Sequence, residues 1–219
     1  MRIFFRSQPV HKGRLLLFIF FTLTCLWVVI FSEIPLMSAR HPAHAHIASV
    51  KWILLPHALC ASIAFLTGPF QFSSYLRKKN LKLHRLLGKI YVGGVYLSAI
   101  FVFVLITREW PTPANLIRLN IANAIQASLW IGTTTMAWAT ARRGQIQVHQ
   151  LWISRSYGIT SSFFLSRMLN PWPAYYRLSF DDFAYVLYIL IIAALFIPDL
   201  MVQWKTIFPK KRTRPGGSS

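Results

Sequence analysis

The chain has 219 residues, room for one domain and little more, and carries 24 Lys and Arg against 5 Asp and Glu, a formal net charge of +19. Only 13% of its residues are charged and 55% are hydrophobic, whereas a soluble domain devotes about a quarter of its residues to charge. This excludes a water-soluble globule, a disordered chain and, with two Cys, a disulfide scaffold. A nucleic-acid binder is excluded too, because the basic residues flank long apolar runs instead of covering a polar surface. The composition is that of an all-α integral membrane protein.

Crossing a bilayer as a helix takes about 20 mostly apolar residues, since each backbone polar group must be satisfied within the segment. Six stretches qualify: 15–36, 52–75, 86–106, 119–139, 151–168 and 183–201. The apolar run of the first is longer than a signal-peptide core, and Ser38-Ala39 is a weak cleavage site, so an uncleaved helix is expected. Pro56, Pro69, Arg155 and Pro198 blur the ends of the second, fifth and sixth. The fifth is the most polar, with Arg155 and several Ser and Thr inside it.

Lys and Arg collect in alternate connections. Arg2, Arg6, Lys12 and Arg14 precede the first span, and Arg77, Lys78, Lys79, Lys82 and Arg85 separate the second from the third. Arg142 and Arg143 lie between the fourth and fifth, and Lys205, Lys210, Lys211, Arg212 and Arg214 follow the sixth. The intervening connections are poorer in cations and hold Glu33, Glu109, Asp181 and Asp182. The positive-inside rule then expects a bundle of six transmembrane helices with both termini cytoplasmic, in the cell membrane. The organisation is a basic segment 1–14, a six-span domain 15–203 and a basic tail 204–219. The bilayer is the first partner, and the tail suits anionic lipid headgroups.

Seven His are present. His57 falls near the outer end of the second span, while His84 and His149 open the third and fifth on the cytoplasmic side. Cys25 and Cys60, inside apolar spans, are expected to be inert thiols. His41, His44 and His46 form a short tract in the first outer loop, a weak metal site at most. Arg155 lies six positions after His149, about 9 Å further along a helix. A guanidinium there costs several kcal/mol unless it snorkels, pairs or meets an anion; Asp199 is the acid within reach, and a bound anion or lipid phosphate is the alternative. Asn120, Asn123 and Gln126 form a stripe near the outer end of the fourth span, expected to join helices or to line a polar path. Gly68, Gly88, Gly93 and Gly94 permit close helix approach, and an interfacial aromatic belt accounts for most of the Trp.

Three segments, HALCASIAFLTGPFQFSSYLR from His57, LHRLLGKIY from Leu83 and RRGQIQVHQLWISRSY from Arg142, carry a resemblance. Together they resemble a bacterial family of predicted membrane proteins catalogued as domain of unknown function 2306, over about 52–170. The matching positions are His57, Gly68-Pro69, Gln71, Arg77, His84-Arg85, Gly88, Tyr91, His149, Trp152 and Arg155. The family name implies an architecture and no activity. At the level of architecture alone the chain also distantly resembles cytochrome b561 and ferric-reductase membrane cytochromes.

Three functional readings stay open. In the first, His84 and His149 are axial ligands of one haem b, Arg85, Arg155 or Lys82 meets its propionates, and a quinone or redox protein is the partner. Both His stand at span starts, where a haem would be partly wet. In the second, Arg155, Arg85 and His84 bind the anionic group of a small solute or lipid, with the amides of the fourth span along its route. In the third the protein is structural, with both His bonded to headgroups or loop carbonyls and Arg155 snorkelling. His57, Gln71, Arg77, Asn120, Asn123 and Gln126 form a further candidate polar set. No hydrolase motif accompanies them, so the sequence names no catalytic residue.

Overall fold

The computed structural model describes the backbone of residues 12–34, 44–109, 112–169 and 171–207. Helix α1 (Lys12–Val28) continues into a π-helical turn, Val29–Glu33. Helix α2 (His44–Thr67) ends in a 3-10 turn, Gly68–Phe72, and the short α3 (Ser74–Lys79) leads to α4 (Leu81–Arg108). Then come α5 (Ile117–Arg142), α6 (Ile146–Leu169), the single turn α7 (Pro173–Tyr176) and α8 (Phe180–Ile207). No strand occurs among the described residues. The expectations placed on residues 1–11, on His41, on the side chains of His44 and His46 and on the tail beyond 207 lie outside the described residues.

The last four expected spans each sit inside one long helix, whereas the first runs on from α1 into the π-helical turn and the second from α2 through the 3-10 turn into α3. Capping explains several of the ends. The Asn80 side chain accepts from the Leu83 N–H at 3.0 Å and starts α4 five residues before the apolar run. Ser179 accepts from the Asp182 N–H at 3.1 Å and starts α8, with Asp181 and Asp182 opposing the positive helix N-terminus. Gly144, with φ +71°, takes the left-handed conformation that closes α5 and turns the chain directly into α6. Pro56 lies within α2 without ending it.

Successive long helices run antiparallel. The bundle therefore has a basic end, where Arg77, Lys78, Lys79, Arg142 and Arg143 gather, and an acidic end with Glu109, Asp181 and Asp182. The closest layer is α2 on α4, and α6 packs against both α5 and α8.

By length and composition three segments among the described residues are apolar enough to cross a membrane, Ala48–Phe72, Leu81–Arg108 and Phe180–Ile197. Their outer faces are greasy: Tyr185, Ile189, Ile192, Phe196 and Leu200 form an exposed stripe along α8. Such a stripe is costly in water and natural against lipid. Helices α5 and α6 fall short of that apolarity because they carry more polar residues, many of them turned into the interior. Asn120, Gln126, Thr133, Thr134, Ser156, Thr160 and Ser162 are all buried.

Gly94 marks the tightest approach of α2 to α4. A Cβ there would meet the Cys60 carbonyl oxygen at 2.9 Å and the Ala64 nitrogen at 3.3 Å, whereas one on Gly93 meets nothing within 4 Å. Gly94→Ala is therefore expected to cost about 1–3 kcal/mol of overpacking and to lower the melting temperature in detergent, while Gly93→Ala leaves it unchanged. Equal melting of the two variants would show that α2 and α4 are not in that contact.

Candidate functional site

The interior is organised by a polar seam between α5 and α6. Gln126, Trp130 and Thr134 recur every four residues and so share one face of α5. Across from them, Gln126 Nε2 donates to Ser162 Oγ at 2.8 Å and Trp130 Nε1 to Thr160 Oγ1 at 2.8 Å. Thr134 Oγ1 and Ser156 Oγ lie 2.6 Å apart. Tyr91 inserts its hydroxyl from α4, 2.7 Å from Ser156 Oγ and 3.0 Å from Thr160 Oγ1. These groups are almost completely buried. The hydroxyl chain is closed at one end, because an indole N–H only donates. It holds three helices together and is no through path. Trp130 does not belong to the interfacial belt expected for most Trp: it is a core residue, and the four-residue spacing against Ser156 and Thr160 was the available signal.

On the acidic side of this seam lies a cavity of about 310 Å³. All six long helices contribute to its wall, among them Val28 from α1, Ala58 from α2, Val102 from α4, Gln126 from α5, Phe163 from α6 and Leu187 from α8. The lining is mainly apolar, with His57, Ser62, Asn123, Gln126, Ser166 and Arg167 as its polar groups. His57 is held against α4: its Nδ1 lies 3.0 Å from the Ser98 carbonyl and 2.9 Å from Ser98 Oγ, and that hydroxyl also contacts the His57 carbonyl at 3.2 Å. Asn120 points elsewhere and donates to Glu109 Oε2 at 2.9 Å. The amide stripe is thus split, with Asn120 tying down the α4–α5 connection and Asn123 and Gln126 at the cavity.

The basic end holds the other candidates. His149 Nδ1 lies 2.8 Å from the Ala137 carbonyl, so it carries the proton and Nε2 presents the lone pair of the neutral ring. His84 is close enough to feel the charges of Arg77, His149 and Arg85. The Gln71 side chain packs on the same helical face, since a Cβ on Gly88, one turn beyond His84, would meet Gln71 Oε1 at 3.1 Å. Gly68 is a second close approach, with the Tyr157 ring in the place of a Cβ. Arg155 is engaged by α8: Nε and Nη2 reach the two Asp199 oxygens at 2.8 and 2.6 Å, and the guanidinium stacks 4.6 Å over Trp152. This two-pronged pair supplies the counter-charge that α6 lacks.

Four buried side-chain polar atoms among the described residues have no hydrogen-bond partner: Gln71 Nε2, His84 Nδ1, Gln126 Oε1 and the Tyr175 hydroxyl. Leaving such an atom unpaired costs about 1–3 kcal/mol. Two of them lie towards the basic end, and a third belongs to Gln126, a residue of the cavity wall. Tyr175 sits in α7, where burial pushes its phenol up to about 12. Among the described residues no group of three or more His, Cys, Asp or Glu is arranged to hold a metal ion.

The model of the family described as a predicted membrane protein, DUF2306, matches residues 54–207. The chain belongs to the DUF2306 family. Membrane residence follows from that membership and from the apolar helices. The match reaches beyond the 52–170 read from the sequence, through α8 and its Asp199, and leaves α1 outside. Neither a curated protein nor a solved structure matches this DUF2306 protein.

The structure therefore brings His84, His149, Gln71, Arg77 and Arg85 to one end, His57, Asn123 and Gln126 to the cavity, and Arg155 to Asp199. Breaking that ion pair from one side leaves a charge in the bundle. Asp199→Asn is expected to destabilise the protein by about 2–3 kcal/mol, below the 3–5 kcal/mol of a fully buried pair because both side chains keep about a quarter of their exposure. The double change Arg155→Met with Asp199→Leu should recover most of the loss in a thermal melt. A double variant no better than the single one would refute the pairing.

Proposed function

We propose that this DUF2306 protein binds a hydroxyl-bearing amphiphile in the six-helix cavity, with the ligand's O–H donated to Gln126 Oε1. The carrying observation is that orphaned oxygen, fully buried at the wall of an otherwise mainly apolar cavity. A concave apolar site with a few convergent polar groups is the usual form of a small-molecule site. A membrane quinol is one redox-active molecule of this class, and a lipid alcohol is a redox-silent one. The reading favours a carrier or acceptor of membrane-dissolved molecules over a passive scaffold. It does not use Arg155 as an anion site, because Asp199 already occupies that guanidinium.

The topology belongs to the same proposal. Helices α5 and α6, of 26 and 24 residues, are no shorter than the apolar α2, of 24, and span about 36–39 Å at 1.5 Å per residue. With their polar atoms turned inward they cross as well, giving six spans in the cytoplasmic membrane with the basic end and both termini inside. In intact cells, a membrane-impermeant thiol reagent should label a Cys placed at Asp181 and leave one at Lys78 untouched. The reverse pattern would invert the orientation.

A second reading places one haem b between His84 and His149. It is supported by the nitrogen set: His149 is held by a carbonyl at Nδ1, leaving Nε2, and His84 has an unpaired Nδ1. A carbonyl-anchored imidazole is the usual arrangement of a ligating His. The reading demands a slot where Gln71 now packs on Gly88, and neither His lines the cavity described above.

One preparation tests both. Protein purified in mild detergent and extracted with solvent should release a hydroxyl-bearing amphiphile at close to one per chain. Ala58→Phe, which fills the cavity, should abolish it, and Gln126→Leu should reduce it about tenfold. A release unaffected by Ala58→Phe, or none at all, would sink the proposal. A reduced-minus-oxidised spectrum of the same sample, lost in His149→Ala, would instead establish the haem reading.

A further inference from the structure

Of the residues that wall the cavity, Val29, on the π-helical turn that extends α1, and Leu66, on α2, are the ones that stay exposed, at 46% and 42%. The others are buried or half-buried. The two belong to one place. Their chain neighbours Val28 and Phe65 share a packed cluster with Phe164 of α6, and Phe65 stacks on Phe164 with ring centroids 3.7 Å apart. Where α1 meets α2 the wall is therefore one side chain thick. Helix α4 gives the depth of that place: Ala64, two residues before Leu66, lies against Gly94, halfway along Leu81–Arg108. Both α2 and α4 are apolar enough to cross a membrane, so an opening at their mid-length adjoins hydrocarbon and not water.

Gln126, fully buried, belongs to the same wall, and its amide has one orientation. Ser162 gives its hydroxyl hydrogen to the Ile159 carbonyl at 2.7 Å, so it can only accept from Gln126. Nε2 takes that side, and Oε1 is left as the unpartnered acceptor. A volume of about 310 Å³ stands at the lower end of small-molecule sites, roughly 300–1,000 Å³. It holds a head and the first part of a chain, and a long chain has to continue outside. We infer that the ligand is a single-chain lipid alcohol, which enters head first from the bilayer and leaves its hydrocarbon chain in lipid between Val29 and Leu66. This ligand shape rests on the reading of the cavity proposed above and adds to it the route and the chain. A diacylglycerol offers the same hydroxyl on two chains, and a mouth between two side chains passes one.

The test is photolabelling of the full-length protein in phosphatidylcholine vesicles with two hexadecanol probes. One carries a diazirine beside the hydroxyl and the other carries it towards the far end of the chain. Labelled residues are read by mass spectrometry with and without excess unlabelled hexadecanol, because only label at a site is displaced. Lipid-facing residues such as Ile189 and Ile192 take label that the excess leaves in place. The first probe should put displaceable label on cavity residues such as Phe163 and Leu187, and the second should put it on Val29 or Leu66. Excess dioleoylglycerol should displace at least tenfold less of either label than hexadecanol does. Narrowing the mouth with Val29→Trp and Leu66→Trp together should slow loading of the first probe at least tenfold and leave its final amount unchanged. Displaceable label from the first probe on the cavity wall, with that from the second at another seam or at neither residue, overturns the route while the cavity reading stands. Loading of the double variant at the wild-type rate does the same, and equal displacement by dioleoylglycerol overturns the single chain. Absence of displaceable label from the first probe fails the cavity reading itself, and the mouth with it.

Discussion

Polar atoms inside a membrane protein must find one another, and that requirement shapes this bundle more than any apolar contact does. Helices α5 and α6 are too rich in amides and hydroxyls to face lipid alone. They satisfy one another as a pair, through Gln126 to Ser162, Trp130 to Thr160 and Thr134 to Ser156. Each bond across helices contributes modestly, about 0.6 kcal/mol on average, so the seam works through the penalty for every alternative arrangement. Tyr91 extends it to α4, and α4 in turn brings α2 against Gly94. The apolar helices are arranged around a polar axis.

That axis separates two regions of different chemistry. Towards the basic end the open positions are charged or imidazole-bearing and close to the surface. Towards the acidic end the cavity is walled by aliphatic and aromatic side chains with a single orphaned amide oxygen, suited to a molecule that prefers lipid. The Arg155–Asp199 pair lies outside both. It fastens α6 to α8 and neutralises a cation that the sequence places inside the fifth span.

The helices were legible in the sequence because apolar runs and clustered cations are one-dimensional signals. Their ends were less so. Asn80 and Ser179 extend α4 and α8 beyond the hydrocarbon-length run, and a cap is read from one residue where a span is read from twenty. Among the candidate residues, His84 and His149 were expected on one side and are found at one end. The destination of Arg155 remained open between Asp199 and an external anion, because a contact across 44 positions leaves no local trace. The cavity was invisible for the same reason: its wall draws on every long helix, and only His57, Asn123 and Gln126 stood out as polar residues in apolar surroundings. Trp130 was hidden by its type, since most Trp in such proteins mark the interface.

A chamber whose wall is drawn from six rods keeps its volume only while they keep their angles. Helix tilt follows the thickness of the surrounding hydrocarbon, and any change of tilt alters the volume left between the rods. In a membrane-resident chain the room at the centre therefore depends on how its helices lean, without any residue having to recognise a lipid.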